Sequence, residues 1–292
     1  MNIHLAEHFG MCFGVKAALR SINEIETSGG VTVLGELVHN PVVQKQLVEQ
    51  GIKYGSPEKI GEAESGTVVF TAHGVSDNTR RGWSETSLQV VDTTCPLVKK
   101  AHRSLECLVL AGYLPVVIGQ RDHVEVRGLT GDFPEAIVVL EASDIDAIPE
   151  GVEKIGIISQ TTQPVKRVQG LVDEIAKRFH GAEVRFVNTV CQPTRDRQQA
   201  MEDLCRKCDT VVVVGGRNSN NTKQLVESSR ARGCDTIHVV EPGELFKDRF
   251  ANSRNVGVTA GTSTLDETVE EVVETLRGFT VSSSVLATEL SS

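Results

Sequence analysis

Three of the seven cysteines share a local setting that suits metal chemistry. Cys12 lies in GMCFGV, Cys95 in TTCPLV and Cys191 in TVCQPT, each where an apolar run gives way to a helical pattern. The partial positive charge of a helix N-terminus favours a thiolate over a thiol. Three thiolates from distant segments suit a cluster that keeps one metal open for substrate, although a single cysteine taken alone is more often a small buried hydrophobe.

A zinc site competes with a cluster, because three cysteines with a histidine or a water also satisfy tetrahedral zinc. Structural zinc usually takes closely spaced ligand pairs, which these three cysteines lack. Cys205 and Cys208 do form a close pair, but they fall in a predicted helix and no second pair accompanies them. We therefore expect these two cysteines, with Cys107 and Cys234, to be structural or incidental.

Three of the eight histidines follow predicted strands in similar short motifs. They are His39 in LVHNP, His73 in TAHGVS and His123 in GQRDHVEV. A lone histidine is usually a satisfied polar residue, but three at equivalent junctions favour a shared role. An imidazole and the backbone donors of a following helix suit a diphosphate group.

Short hydrogen-bonding side chains follow two further predicted strands. GGRNSNNTK supplies Ser219, Asn220 and Asn221, and TAGTS supplies Ser263. Helix capping explains either motif alone, whereas two motifs in one topological position favour phosphate binding. Neither motif has the Gly-Lys-Ser or Gly-Lys-Thr of a Walker loop, which argues against nucleotide hydrolysis.

Glu125 is the predicted proton donor. It lies two residues after His123, and in a strand such positions face the same side. A desolvated carboxyl has a raised pKa, so it can hold a proton at neutral pH and deliver it to a leaving hydroxyl. Thr161 in SQTT is expected to relay protons or to orient the acid, although a solvated glutamate and a capping threonine are the ordinary alternatives.

The elements that must position these residues alternate between strands and helices, the pattern of parallel sheets flanked by helices. Spacing predicts a helix from Val165 to Phe179, and helices beginning near Pro41, Pro96 and Pro164. The predicted strands are Val31-Leu34, Val68-Thr71, Leu88-Val91, Leu114-Ile118, Ile137-Leu140, Ile155-Ile158, Val184-Val187, Val211-Val214, Ile237-Val240 and Val256-Thr259. Ligands bind beyond the carboxyl ends of parallel strands, so the motifs there indicate one convergent site. The roughly regular spacing of the three cysteines suggests three similar α/β units.

Composition excludes several classes of protein. A formal net charge of -9 argues against a broad nucleic-acid footprint, so any anionic ligand must be small and locally held. No apolar run is long enough to span a bilayer and the N-terminus lacks a signal-peptide pattern, so we expect a cytoplasmic protein with no membrane partner. Cysteines in that reducing compartment are not expected to form disulfides.

Together these residues resemble the 4-hydroxy-3-methylbut-2-enyl diphosphate reductase (IspH/LytB) family. The likeness extends from GMCFGV to AGTS and covers nearly the whole chain. AHGVS, TCPLV, SQTT and GVTAG, in this order, make it highly specific. The chain departs from many relatives at Asn220, where they have Ser, at Arg121-Asp122 and Val124 around His123, and at Gln192-Pro193 after Cys191.

The resemblance implies three pseudo-symmetric α/β domains in a trefoil around a central 4Fe-4S cluster. The cluster would be held by Cys12, Cys95 and Cys191, with one iron open as a Lewis acid for the substrate hydroxyl. The implied domains are residues 12–95, residues 96–190, and residues 1–11 with 191–280, leaving 281–292 as a loose C-terminal tail.

The resemblance also implies the reaction. An allylic diphosphate, (E)-4-hydroxy-3-methylbut-2-enyl diphosphate, would be reduced to isopentenyl and dimethylallyl diphosphate in the last step of the non-mevalonate (MEP/DOXP) pathway. A ferredoxin or flavodoxin-type donor would supply the electrons. The implied proton-delivery pair is Glu125 with Thr161, beside a diphosphate clamp of His39, His73, His123, Ser219, Asn221 and Ser263. His123 is also expected among the catalytic residues, and Thr161 and Asn220 among those that bind the substrate. Two alternatives stay open: a hydro-lyase with the same open cluster, and a non-enzymatic iron-sulfur or zinc sensor.

Overall fold

Strands and helices alternate along nearly the whole chain. The structure, a computed structural model, describes residues 1–25 and 29–289. The strands are β1 Asn2–Leu5, β2 Val31–Leu34, β3 Lys53–Gly55, β4 Thr67–Phe70, β5 Gln89–Asp92, β6 Leu114–Ile118, β7 Ile137–Val139, β8 Lys154–Ser159, β9 Glu183–Phe186, β10 Thr210–Val214, β11 Asp235–Val239 and β12 Asn255–Ala260. The α-helices are α1 Phe13–Asn23, α2 Pro41–Glu49, α3 Asp77–Ser84, α4 Pro96–Leu110, α5 Val124–Thr130, α6 Val165–Arg178, α7 Gln192–Cys205, α8 Asn220–Ala231 and α9 Asp266–Glu289.

The strands form three parallel sheets that share one connection order. The first sheet is ordered β3-β2-β4-β5, the second β7-β6-β8-β9 and the third β11-β10-β12-β1. In the first two sheets, each of the two inner strands lies beside the strand that follows it in the sequence. The third sheet follows the same rule for one inner strand, but β1 forms the edge beside the other. It pairs with β12 in parallel, from Asn2 opposite Asn255 to Leu5 opposite Val258. The predicted α/β class with three similar units is confirmed.

The chain divides into two compact units. Unit 1 comprises Met1–Cys12, His39–Val43 and Gln192–Ser292 and contains the third sheet. Unit 2 comprises Phe13–Val38 and Gln44–Cys191 and contains the first and second sheets. The predicted boundaries of three domains stay predictions.

The predicted loose tail, residues 281–292, overlaps the last helix. Helix α9 continues to Glu289, and residues 290–292 lie outside the described part of the chain. The looseness of the tail therefore stays a prediction. Among the helices that the structure describes, none combines the length and the hydrophobicity needed to cross a bilayer.

Burial follows the sequence pattern closely. Strand β10 is buried at every position, as expected for an inner parallel strand covered by helices on both faces. Helix α6 buries Val168, Leu171, Val172 and Ile175, the face that the three-or-four spacing predicted. Pro41 and Pro96 begin their helices and Pro164 immediately precedes α6, where the missing N–H of proline costs least.

Three details differ from the predictions. Strands β1 and β3 were not predicted, because both are short edge strands with exposed positions and no continuous apolar run. The strand expected at His123 and Glu125 is wrong: His123 is the N-cap of α5 and Glu125 its second residue, since the His123 side chain accepts the Glu125 N–H and starts a helix. Only Cys205 of the close pair is helical, because α7 ends there and Cys208 is buried beyond it.

Candidate active site

The three predicted ligand cysteines are presented in the same way by the three sheets. Each immediately precedes a helix: Cys12 precedes α1, Cys95 precedes α4 and Cys191 precedes α7. Each backbone N–H donates to the carbonyl of the second residue beyond an inner strand, β12, β4 or β8. The three N-to-O bonds are Cys12 to Thr262 (2.9 Å), Cys95 to Ala72 (3.0 Å) and Cys191 to Thr161 (2.9 Å). All three cysteines are partly exposed, as reactive or ligating thiolates generally are.

Cys95 shows how closely a helix approaches one of these thiols. A Cβ added to Gly14, in the first turn of α1, would lie 2.6 Å from the Cys95 Sγ, so only glycine fits there. Cys95 is also the N-cap of α4, with Pro96 next, and its side chain makes no capping hydrogen bond. The Cys95 thiol therefore lies at the start of α4 without serving as its cap.

The other four cysteines lie in different settings. Cys208 and Cys234 are buried, and burial raises the pKa of each thiol to about 11. Cys107 is exposed on α4, and Cys205 is partly exposed at the end of α7. Within the described part of the chain, no three His, Cys, Asp or Glu side chains are grouped to hold a single metal ion. That these four cysteines are structural or incidental stays a prediction.

Glu125 is a buried acid bonded to one residue through both of its oxygens. It is only 1% exposed, and Thr161 donates its N–H to Oε1 at 2.6 Å and its hydroxyl to Oε2 at 2.9 Å. Desolvation raises the pKa of Glu125 to about 7, against the lowering effect of the two hydrogen bonds. Because Thr161 also accepts the Cys191 N–H, a continuous series of contacts joins Glu125 to Cys191.

Two predicted clamp histidines lie together in unit 2. The rings of His73 and His123 are 5.7 Å apart between centroids, with an 80° interplanar angle. His123 Nδ1 accepts the Glu125 N–H at 3.1 Å, so the neutral ring carries its proton on Nε2. His73 Nδ1 lies 3.4 Å from the Thr71 hydroxyl. The His123 ring can therefore present a donor beside the acid, and the His73 ring lies next to it.

The first turn of α8 supplies the donors of unit 1. Ser219 is the N-cap, and its hydroxyl accepts the Thr222 N–H at 3.3 Å. Asn220 and Asn221 follow, both buried. Asn221 Oδ1 accepts the Thr262 N–H at 3.1 Å, while its buried Nδ2 has no hydrogen-bond partner among the described residues. An unused buried donor at the start of a twelve-residue helix suits an anion.

Asn221 and Glu125 occupy matching positions. Each is the second residue of a helix that follows an inner strand, α8 after β10 and α5 after β6. Each side chain accepts the N–H of the residue whose carbonyl binds a cysteine N–H: Thr262 for Cys12 and Thr161 for Cys191. The same position therefore holds an amide, Asn221, at the third sheet and a carboxylic acid, Glu125, at the second.

His39 and Ser263 also contact each other in unit 1. Asn40, which the sequence motifs did not single out, supports this contact. The Ser263 hydroxyl donates to the His39 carbonyl at 3.3 Å. Asn40 is 3% exposed; its Nδ2 donates to the Ser263 carbonyl at 2.7 Å and its Oδ1 accepts the Val42 N–H at 2.9 Å. An asparagine directly before Pro41 is a helix-start signal, which is the sign that identifies Asn40 in the sequence.

The predicted site residues are thus divided between the two units. Unit 2 carries Cys95, Cys191, His73, His123, Glu125 and Thr161, and unit 1 carries Cys12, His39, Ser219, Asn220, Asn221 and Ser263.

A buried acid whose pKa lies near neutrality is typical of an enzyme. Three parallel sheets, each with a cysteine placed in the same way, define an α/β protein of three similar units. A family model described as "LytB protein" matches residues 3–277. The chain belongs to the LytB family.

Curated relatives and solved structures agree with this assignment. A protein of Geobacter metallireducens is 37% identical over 95% of this chain and 97% of its own length, and one of Aquifex aeolicus is 34% identical over 93% and 94%. Both are named 4-hydroxy-3-methylbut-2-enyl diphosphate reductase. The E-1-hydroxy-2-methyl-but-2-enyl-4-diphosphate reductase structure from Plasmodium falciparum matches with a TM-score of 0.86 at 27% identity, covering 94% of this chain and 87% of that one. A second solved reductase, titled the terminal enzyme of the non-mevalonate pathway, has a TM-score of 0.67 at 33% identity and covers 95% of this chain and 100% of that one.

Proposed function

We propose that this chain is a 4-hydroxy-3-methylbut-2-enyl diphosphate reductase. It removes the substrate hydroxyl with two electrons and protons, releases water, and yields isopentenyl and dimethylallyl diphosphate in the last step of the non-mevalonate pathway. The observation that carries the proposal is the series Glu125, Thr161, Cys191, in which a buried acid with a pKa of about 7 contacts the residue that holds a ligand cysteine. Loss of a poor leaving group such as hydroxide needs such a proton donor.

The LytB family carries an iron-sulfur cluster, and the donor set of this chain fits one. We assign Cys12, Cys95 and Cys191 as the three ligands of a 4Fe-4S cluster with one open iron, because all three thiols are partly exposed and precede helices. When bound, such a cluster supplies single electrons and a Lewis-acidic iron.

The chain's own residues hold the diphosphate and move a proton. We assign the clamp to histidine rings and to donors at helix N-termini. One of these donors is the buried Asn221 Nδ2, which has no hydrogen-bond partner among the described residues and can donate to the diphosphate. Glu125 delivers a proton to the departing hydroxyl, and Thr161 orients its carboxyl. The clamp residues are His39, His73, His123, Ser219, Asn220, Asn221 and Ser263.

The reaction consumes two electrons, so it needs an external reductant. We propose a ferredoxin- or flavodoxin-type protein as that partner and the cytoplasm as the location. The negative net charge supports a locally held small anion as the ligand in preference to nucleic acid.

Cys95 and Cys107 allow a matched test of the ligand assignment, since the first caps α4 and the second lies exposed on it. Cys95→Ser is expected to lose both the cluster and turnover, because serine is a poor ligand for this cluster. Cys107→Ser is expected to retain both. Anaerobic iron and sulfide quantitation, with an assay on the hydroxylated diphosphate, measures both properties. A Cys95→Ser enzyme that is active and cluster-replete would refute the assignment.

The same preparation separates the alternatives. Turnover that depends on dithionite or reduced ferredoxin supports a reductase, whereas product formation without a reductant would indicate a hydro-lyase. Zinc in place of iron and sulfide would indicate a sensor.

A further inference from the structure

The loop that leads to Cys12, residues 9–12, is held at four successive positions within unit 1. The Arg197 guanidinium donates from one nitrogen to the Phe9 carbonyl at 3.2 Å and to the Gly10 carbonyl. Asp266 Oδ1 accepts the Met11 N–H at 3.1 Å. The Cys12 N–H donates to Thr262. Every residue of the loop is therefore fixed through its backbone.

The loops before the other two cysteines are fixed differently. Asp92, three residues before Cys95, accepts the Thr94 N–H at 2.9 Å, and Asn188, three residues before Cys191, accepts the Val190 N–H at 3.1 Å. Each loop thus contains its own Asx turn. Phe9 occupies the corresponding position before Cys12 and has no side-chain acceptor. The Cys12 loop must obtain its hydrogen bonds from elsewhere in the chain.

Arg197 provides hydrogen bonds to the Cys12 loop from the interior of the protein. It lies on α7, is 5% exposed, and also donates to the Pro193 carbonyl at 3.0 Å. A buried guanidinium is costly unless carbonyls or negative charge surround it, and its planar donors can serve several acceptors at once. Because it bonds to Gly10, two residues before Cys12, its positive charge lies at the loop that carries this cysteine.

Gly10 shows that the contact with Asp266 is built into the loop. Its φ of +69° is a conformation that glycine tolerates, and an added Cβ would lie 1.9 Å from Asp266 Oδ1. No larger residue fits without displacing the carboxylate that holds Met11.

We infer that Arg197 and Asp266 are positioning residues that fix Cys12 as a metal ligand, and that the buried charge of Arg197 also raises the reduction potential of the group that Cys12 binds. The inference rests on the proposed function, because Cys12 must be a ligand. Neither residue touches the substrate in this proposal.

Four variants of the full-length, anaerobically reconstituted protein test the inference: Arg197→Met, Arg197→Lys, Asp266→Ala and, as control, Arg206→Met. Arg206 is a surface arginine just beyond α7, paired with Asp203. Arg197→Met is expected to lose iron to a chelator roughly tenfold faster than wild type, the order expected when hydrogen bonds from a charged donor are lost. Its midpoint potential should be lower, because removing positive charge disfavours the reduced state. Arg197→Lys should recover more of the wild-type potential than of the wild-type iron retention, since lysine keeps the charge but not the planar donors.

Asp266→Ala separates the positioning of Cys12 from the effect of the Arg197 charge. It also tests the positioning role if Arg197→Met does not fold. It is expected to lose iron faster without the lowered potential, while Arg206→Met behaves as wild type in both measurements. Wild-type iron retention in both Arg197→Met and Asp266→Ala would overturn the positioning role, and an unchanged potential in Arg197→Met would overturn the electrostatic one. Cys12→Ser, measured in parallel, distinguishes the two proposals: if it keeps a full cluster the proposed function fails, and if it alone loses iron only this inference fails.

Discussion

At the scale of single residues, Glu125 shows how burial converts an ordinary carboxyl into a proton donor. Desolvation favours the neutral form, while the two hydrogen bonds from Thr161 favour the ionised one. The balance places the pKa at about 7, so the group is partly protonated at neutral pH. A fully exposed glutamate would already have lost its proton, and a carboxyl without the Thr161 bonds would hold its proton more tightly.

The raised pKa makes a prediction about stability. The folded state binds the Glu125 proton more tightly than the unfolded state, whose pKa is near 4.5, so this stabilisation is complete below pH 4.5 and is lost as pH rises to about 7. Over that window wild type should lose roughly 3 kcal/mol of unfolding free energy relative to Glu125→Gln. Urea unfolding of both proteins across the pH range measures the difference. Glu106→Gln, at an exposed site, is the control, and a pH-independent difference for Glu125→Gln would contradict the raised pKa.

The same variant checks the catalytic role. Glutamine preserves the shape of the side chain but has no acidic proton, so Glu125→Gln should bind substrate normally and dehydroxylate it far more slowly. Unchanged turnover would remove Glu125 from the mechanism.

Residue chemistry was only partly predictable from the sequence. Glu125 was identified, but on the wrong geometry, because the alternation in DHVEV imitates a strand while the cap at His123 starts a helix. Asn40 and Arg197 were not singled out. Both act mainly on backbone carbonyls of distant segments, and such contacts leave no local motif.

At the scale of elements, the start of α8 has two proposed roles, capping the helix and binding an anion, and substitutions can separate them. Ser219 caps this helix and belongs to the proposed clamp, whereas Ser76 caps α3 with the same kind of bond, to the Thr79 N–H at 3.2 Å, and has no place in the clamp. Both helices need a cap, but only one cap is proposed to face an anion.

Ser219→Ala should therefore lower stability by about 1 kcal/mol, the usual cost of a lost cap, and also raise the KM for the diphosphate substrate. Ser76→Ala should lower stability comparably with KM unchanged. Thermal unfolding and steady-state kinetics on both variants give the comparison. Equal KM values in the two variants would mean that Ser219 is only a cap.

Ten of the twelve strands in the described part of the chain lie within a residue or two of their predicted positions, because each contains an apolar run. Strands β1 and β3 escaped prediction because they are short edge strands with exposed positions and no continuous apolar run. The shared connection order of the sheets was suggested by cysteine spacing alone; the pairing of β1 with β12 joins residues more than 250 positions apart and has no sequence signal.

At the scale of the whole molecule, the proposed cluster takes its ligands from three segments that lie far apart in the sequence. A ligand that binds only the folded protein stabilises it by mass action, and the loops before the cysteines are ordered by the same folding. The reconstituted protein should therefore unfold several degrees above the apoprotein. Cys12→Ser, Cys95→Ser and Cys191→Ser should each abolish that increase, because each removes one of three required ligands, while Cys107→Ser should keep it. Anaerobic calorimetry of the four variants with and without iron and sulfide tests this, and an undiminished increase in any one of the three ligand variants would show that its cysteine does not hold the cluster.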